Sequence, residues 1–109
     1  VTDTAKANVC ALKSNVPFGF YNVGRGIKTT IKELAELILN ITGSDLQVQY
    51  EPGGMTFVKN RIGFAKKAEE EIGFKAQVGL REGLKRLLSW RNSHKSEVAE
   101  RRRVAGIVQ

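Results

Sequence analysis

One stretch constrains the fold more than any other: Phe20-Tyr21-Asn22-Val23-Gly24-Arg25-Gly26, followed by a helix that opens at Thr30 and runs to about Thr42. Phe20, Tyr21 and Val23 suit a buried strand, and Gly24-Arg25-Gly26 is a turn too rich in glycine to continue it. Thr30 with Glu33 then forms a capping box that restarts the chain as helix. The expected order is strand, phosphate-sized loop, helix. Backbone N–H groups at the end of such a loop and at a helix N-terminus point outward without partners, where they can hold an anion. Arg25 and Lys28 add positive charge at the same place. The alternative is an ordinary connection whose glycines only permit the turn.

In the helix from Thr30, Ile31, Leu34, Leu37, Ile38 and Ile41 recur at helical spacing, Lys32, Glu33, Glu36 and Asn40 take the other side, and Gly43 ends it. Leu46-Gln47-Val48-Gln49-Tyr50 alternates apolar with polar and reads as a second strand, so the spacing predicts a right-handed parallel βαβ unit. The expected fold class is α/β, a small parallel βαβ sheet packed with about four helices.

The first of those helices is capped by Asp3 or Thr4, places Ala5, Val9 and Leu12 on one face, and stops before Pro17. A short helix over 65–72 sets Lys66 and Lys67 against Glu69, Glu70 and Glu71 as surface ion pairs and closes at Gly73. Val78, Leu80, Leu84, Leu87 and Leu88 mark the apolar side of a last amphipathic helix, with Trp90 at its rim as a packing residue. Beyond Arg91 the apolar pattern thins, and an exposed helical extension runs through Arg101-Arg102-Arg103. The expected division is residues 1–91 as the main lobe and 92–109 as a basic extension.

A chain of 109 residues is one domain and small for a complete two-substrate enzyme. No apolar run approaches the roughly 20 residues that cross a bilayer, and the N-terminus lacks a signal-peptide layout. The single cysteine, Cys10, cannot form an internal disulfide; it reads as a small packing thiol, in keeping with a reducing, cytoplasmic setting. Of the net charge of +7, residues 81–109 carry +5, with eight Lys or Arg against three Glu, so a uniformly basic nucleic-acid face is not supported. His94 has no Cys or second His beside it to form a metal site, and no Ser-His-Asp grouping can be assembled around a lone histidine. As a self-contained dinucleotide fingerprint the loop matches poorly: the third glycine position is Thr29, and Asp45 precedes the second strand. Lys59 and Arg61 lie two apart, so in an extended stretch they share a side, either reaching one anionic ligand or standing solvated.

Several landmarks in order carry a resemblance over roughly residues 1–91. They are Val1-Thr2-Asp3-Thr4-Ala5-Lys6-Ala7-Asn8, Tyr21-Asn22-Val23-Gly24, Ile31-Lys32-Glu33-Leu34-Ala35-Glu36-Leu37-Ile38, Lys67-Ala68, Ile72-Gly73-Phe74 and Leu80-Arg81-Glu82-Gly83-Leu84. Together they resemble the C-terminal, substrate-binding part of extended short-chain dehydrogenase/reductases, with nucleotide-sugar epimerases of the UDP-glucose 4-epimerase type as the nearest kind. The resemblance implies a nucleotide-sugar-binding lobe without the family's N-terminal Rossmann domain, its NAD loop or its Tyr-x-x-x-Lys catalytic pair. On that reading Val1 is a cut edge, the chain alone is inactive and binds no NAD, and the missing Rossmann domain is its partner. In the parent enzyme, NAD would oxidise a sugar hydroxyl and return the hydride to the other face of the keto-sugar. Asn22, Val23 and Gly24 match the family segment whose backbone lies near the nucleotide base, with Arg25 in the loop beside it. The family's Arg-x-Gly-Asp stretch after the second strand is replaced by Gly53-Gly54-Met55-Thr56, which leaves Arg61 or Lys59 as substitutes for the diphosphate-holding arginine. Phe64 stands where relatives commonly have aspartate. The expected substrate site is therefore Asn22, Val23, Gly24, Arg25, Lys59 and Arg61, with no catalytic residue and no metal. Two other readings compete: a basic module that uses Arg101-Arg102-Arg103 to bind an acidic partner or nucleic acid, and a domain that pairs with a copy of itself as a homodimer.

Overall fold

The computed structural model describes residues 1–51 and 60–106. Five helices follow in order: α1 (Thr2–Lys13), α2 (Ile31–Thr42), α3 (Lys66–Ile72), α4 (Leu80–Ser93) and α5 (Lys95–Val104). The chain divides into two compact units, Val1–Val78 and Gly79–Gln109.

In the first unit α1 packs against α3, and the core they share is small. Ala7, Ala68, Ile72 and Phe74 are buried, and Cys10, Val16, Tyr21 and Ala76 pack against them. Alanines at positions 7 and 68 leave room for the two helices to approach closely. Gly73 ends α3 in the left-handed conformation, and its N–H and that of Phe74 both donate to the Ala68 carbonyl. That reversal returns Phe74, the largest fully buried side chain, beneath the helix it has just left. The segment after it is tied down by Asp3, whose Oδ2 accepts the backbone N–H groups of Gln77 at 3.0 Å and Val78 at 2.9 Å. These bonds, Val78 first, hold the Asp3 carboxyl below its ordinary range.

Two expectations about α1 are corrected. Its N-cap is Val1, with no side-chain cap bond, because Asp3 sits in the first turn and spends its carboxylate on the chain near residue 78. Its covered face is that of Ala7 and Cys10; Leu12 is 86% exposed. Apolar spacing marks which side chains share a face, but contact with Ala68 selects the face that can come close.

The larger correction concerns the sheet. Among the described residues there is no strand, so the expected parallel βαβ unit is overturned and the fold is helical with long extended connections. Residues 20–23 and 46–50 run without regular structure, and Phe20, Leu46 and Tyr50 are largely exposed. A strand exists only where a neighbouring backbone completes a hydrogen-bond ladder, and these two segments do not supply that ladder to each other. Alternation of apolar and polar side chains reports a local preference for extended backbone and no more.

Between them α2 forms as the sequence dictates. Thr30 Oγ1 accepts from Glu33 N–H at 3.1 Å while the Glu33 carboxylate takes the Thr30 N–H at 2.7 Å. Gly43 closes the helix with φ +63°. Leu34, Leu37, Ile38 and Ile41 are half-buried, whereas Ile31 is 81% exposed.

The second unit consists of α4 and α5, separated by His94. The Trp90 and His94 rings stack with centroids 4.7 Å apart, and His94 Nδ1 lies 2.8 Å from the Trp90 carbonyl oxygen. Trp90 therefore does pack, though against the helix break and not an interior. In α5, Arg101 pairs with Glu97 at 2.6 Å and Arg103 with Glu100 at 2.7 Å, which offsets part of the basic charge of the expected extension. Among the described residues no helix is long and apolar enough to cross a membrane.

Candidate functional site

The 22–26 loop is shaped by the residues that flank it in space. Gly26 adopts φ +66°, a left-handed conformation that disfavours any side chain, whereas a Cβ on Gly24 would meet open space. Gly26 is thus the glycine the turn requires. A Cβ built on Gly26 would lie 3.7 Å from the Gly63 carbonyl oxygen, and one built on Gly63 would lie 3.9 Å from Asn22 Cβ. The backbone leading into α3 therefore runs alongside the loop, and this neighbourhood brings Asn22, Gly26 and Gly63 together with Arg61 two residues upstream.

Of the expected site residues, Asn22, Val23, Arg25 and Arg61 are exposed and Gly24 is half-buried. Lys59 and the 53–56 replacement for the family's Arg-x-Gly-Asp stretch lie outside the described residues. Arginine offers planar paired donors to phosphate oxygens, so two exposed arginines carried by neighbouring segments are of a chemistry suited to a diphosphate.

The N-terminus of α2 does not contribute as anticipated. Its Thr30 and Glu33 N–H groups are consumed by the reciprocal capping box, and the Glu33 carboxylate, held below its ordinary range chiefly by the Thr30 N–H, places negative charge there. Lys28 lies near enough to favour that carboxylate. An anion at this end would meet like charge and find fewer donors. For the same reason the loop does not fit the pyrophosphate of NAD, which needs an open helix N-terminus behind its glycines.

Sequence reasoning missed the groups that fix the loop's leading edge. Tyr21 donates its hydroxyl hydrogen to Glu71 Oε2 at 2.8 Å. Lys67 Nζ donates to the Phe20 carbonyl at 3.3 Å and stands 5.1 Å from the centre of the Tyr21 ring. The four-residue spacing of Lys67 and Glu71 placed both on one face of α3 and was legible, but it read as a surface ion pair. Nothing local links positions 21 and 71. Among the described residues no group of three or more His, Cys, Asp or Glu side chains is placed to hold a metal ion.

The chain is similar in sequence and in fold to known proteins. The chain belongs with the extended short-chain dehydrogenase/reductases, among the nucleotide-sugar epimerases and dehydratases. More particularly, it is 34% identical over 90 residues to a Methanocaldococcus jannaschii protein assigned as a UDP-glucose 4-epimerase, covering 83% of this chain and 28% of that one. It is 29% identical over 99 residues to UDP-arabinose 4-epimerase 1 of Arabidopsis thaliana, covering 88% and 24%. To dTDP-glucose 4,6-dehydratase of Streptomyces griseus it is 30% identical over 83 residues, covering 70% and 24%. The crystal structure of the Bordetella bronchiseptica enzyme WbmF in complex with NAD+ and UDP matches 94% of this chain and 31% of that chain, with TM-score 0.75 and 26% identity. The WbmF complex with NADH matches equally well, at TM-score 0.75 and 28% identity. The chain spans about a quarter of the length of the curated relatives it matches. No model of a known protein family matches it.

Proposed function

We propose that residues 22–25, with Arg61, hold the nucleotide end of a nucleotide sugar in an NAD-dependent epimerase or dehydratase, and that the substrate is a UDP-sugar acted on at C4. The observation that carries this reading is the juxtaposition of the 22–26 loop with the backbone at Gly63, which brings together the segments of Arg25 and Arg61. The relation to UDP-sugar 4-epimerases and to an enzyme solved with NAD+ and UDP supports the choice of ligand. Asn22 and Val23 are exposed residues whose amide and carbonyl groups would pair with a uracil ring, and the Arg25 and Arg61 guanidinium groups would answer the diphosphate charge.

The role is binding and orientation. Neither tyrosine of the chain is followed by lysine four positions on, so the family's Tyr-x-x-x-Lys pair does not occur in this sequence. NAD, when bound in the intact enzyme, supplies hydride abstraction and return; the residues described here fix the nucleotide so that the sugar projects away from it.

Titration of the ¹⁵N-labelled chain with UDP tests the assignment. Amide shifts should centre on residues 22–25 and 61, and should weaken in both Arg25→Ala and Arg61→Ala. Shifts confined to α4 and α5 would overturn it.

A further inference from the structure

Three contacts converge on the two residues that precede Asn22. Tyr21 gives its hydroxyl hydrogen to Glu71 at 2.8 Å, Lys67 donates to the Phe20 carbonyl at 3.3 Å, and the Lys67 ammonium stands 5.1 Å from the centre of the Tyr21 ring. Lys67 and Glu71 are four residues apart and so project from one side of α3. A further restraint comes from Gly19: a Cβ there would sit 2.5 Å from Tyr21 Oη and 2.7 Å from Cζ, so the ring folds back over a position that only glycine leaves open. Tyr21 also packs against the buried cluster of Ala7, Ala68, Ile72 and Phe74. The ring is thus anchored below by the core, at its tip by Glu71, on its face by Lys67, and behind by the bare backbone of Gly19.

We propose that Glu71 and Lys67 are positioning residues for the nucleotide-binding loop, acting through Tyr21 and Phe20 to fix the backbone where Asn22 begins. This rests on the UDP reading above and deepens it. Residues 20–23 belong to no sheet among the described residues, so no hydrogen-bond ladder holds them. Side chains from α3 supply that restraint. The loop's other flank is the Gly63 backbone, which enters the same helix, so both sides of the loop are referenced to α3. The Tyr21 hydroxyl is held above its ordinary pKa chiefly by the hydrogen bond to Glu71, in keeping with a phenol that keeps its proton and donates it to the carboxylate.

The test uses the ¹⁵N-labelled full chain and the variants Glu71→Ala, Glu71→Gln, Tyr21→Phe and Gly19→Ala. Glu71→Gln keeps an acceptor for the hydroxyl, and Gly19→Ala displaces the ring without touching α3. In the absence of nucleotide, amide relaxation at residues 22–25 should show increased motion in Glu71→Ala, Tyr21→Phe and Gly19→Ala and wild-type motion in Glu71→Gln, while amides of α1 stay dispersed and ordered as in the folded wild type. UDP affinity in Glu71→Ala should fall roughly fivefold to thirtyfold, the cost of re-fixing about one backbone residue, with Glu71→Gln near wild type. Unchanged relaxation at 22–25 in both Glu71→Ala and Gly19→Ala overturns the positioning role, as does unchanged UDP affinity in Glu71→Ala. If UDP leaves residues 22–25 of the wild type unperturbed, the nucleotide reading falls, and the relaxation measured without UDP still decides the positioning.

Discussion

Replacing Phe74 by alanine removes the largest fully buried side chain of the first unit. Phe-to-Ala changes in well-packed cores cost about 3–5 kcal/mol, the upper part applying where neighbours cannot collapse into the space. Here they cannot easily do so, because among the described residues two of the three other buried side chains are alanines, Ala7 and Ala68, with no reach to fill it. A unit of 78 residues carries about 4–12 kcal/mol of stability at typical per-residue values, so the substitution consumes between a quarter of it and all of it. With a urea dependence of roughly 1.5 kcal/mol per molar, the midpoint should fall by about 2–3 M. Urea unfolding followed through the amide resonances of α1 and α3 reads this directly. Leu12→Ala is the matched control: Leu12 is 86% exposed, and its truncation should change stability by no more than about 0.5 kcal/mol. If Leu12→Ala proves as costly as Phe74→Ala, the covered face of α1 is the Ala5, Val9 and Leu12 side and the packing argument is wrong.

Thr30→Ala removes one half of the capping box and should destabilise α2 by about 1 kcal/mol, seen as faster amide exchange in its first turn, with the Gly43 end unaffected. Asp3 gives a signed pH dependence: its carboxyl is depressed in the folded chain by the Val78 and Gln77 N–H groups, so its stabilisation is fully present above the unfolded value near pH 4 and is lost as pH falls through the lower folded value. The melting temperature of the wild type should therefore drop more between pH 6 and pH 3 than that of Asp3→Asn. An equal drop in both would show that the two backbone bonds to Asp3 contribute nothing.

What the sequence determined by itself was whatever neighbouring residues settle among themselves. The reciprocal Thr30 and Glu33 cap, the left-handed closures at Gly43 and Gly73, the span of α2 and the helical run through Arg101 all depend on contacts within four or five residues, and all are present. The resemblance carried by ordered landmarks from Val1 to Leu84 was likewise legible, since it is a property of residue identity and order. Tertiary structure decided the matters in which one segment must find another. Leu46, Val48 and Tyr50 alternate as a strand would, yet among the described residues no backbone completes a ladder with them. Ala7 and Cys10 became the covered face of α1 because Ala68 faced them, though Leu12 is the more apolar choice. Tyr21 met Glu71 across fifty residues, and Gly63 came beside Asn22 and Gly26 across about forty. Pairing over such separations depends on how the chain closes on itself, a free energy that belongs to the whole fold and leaves no mark in any local window of sequence.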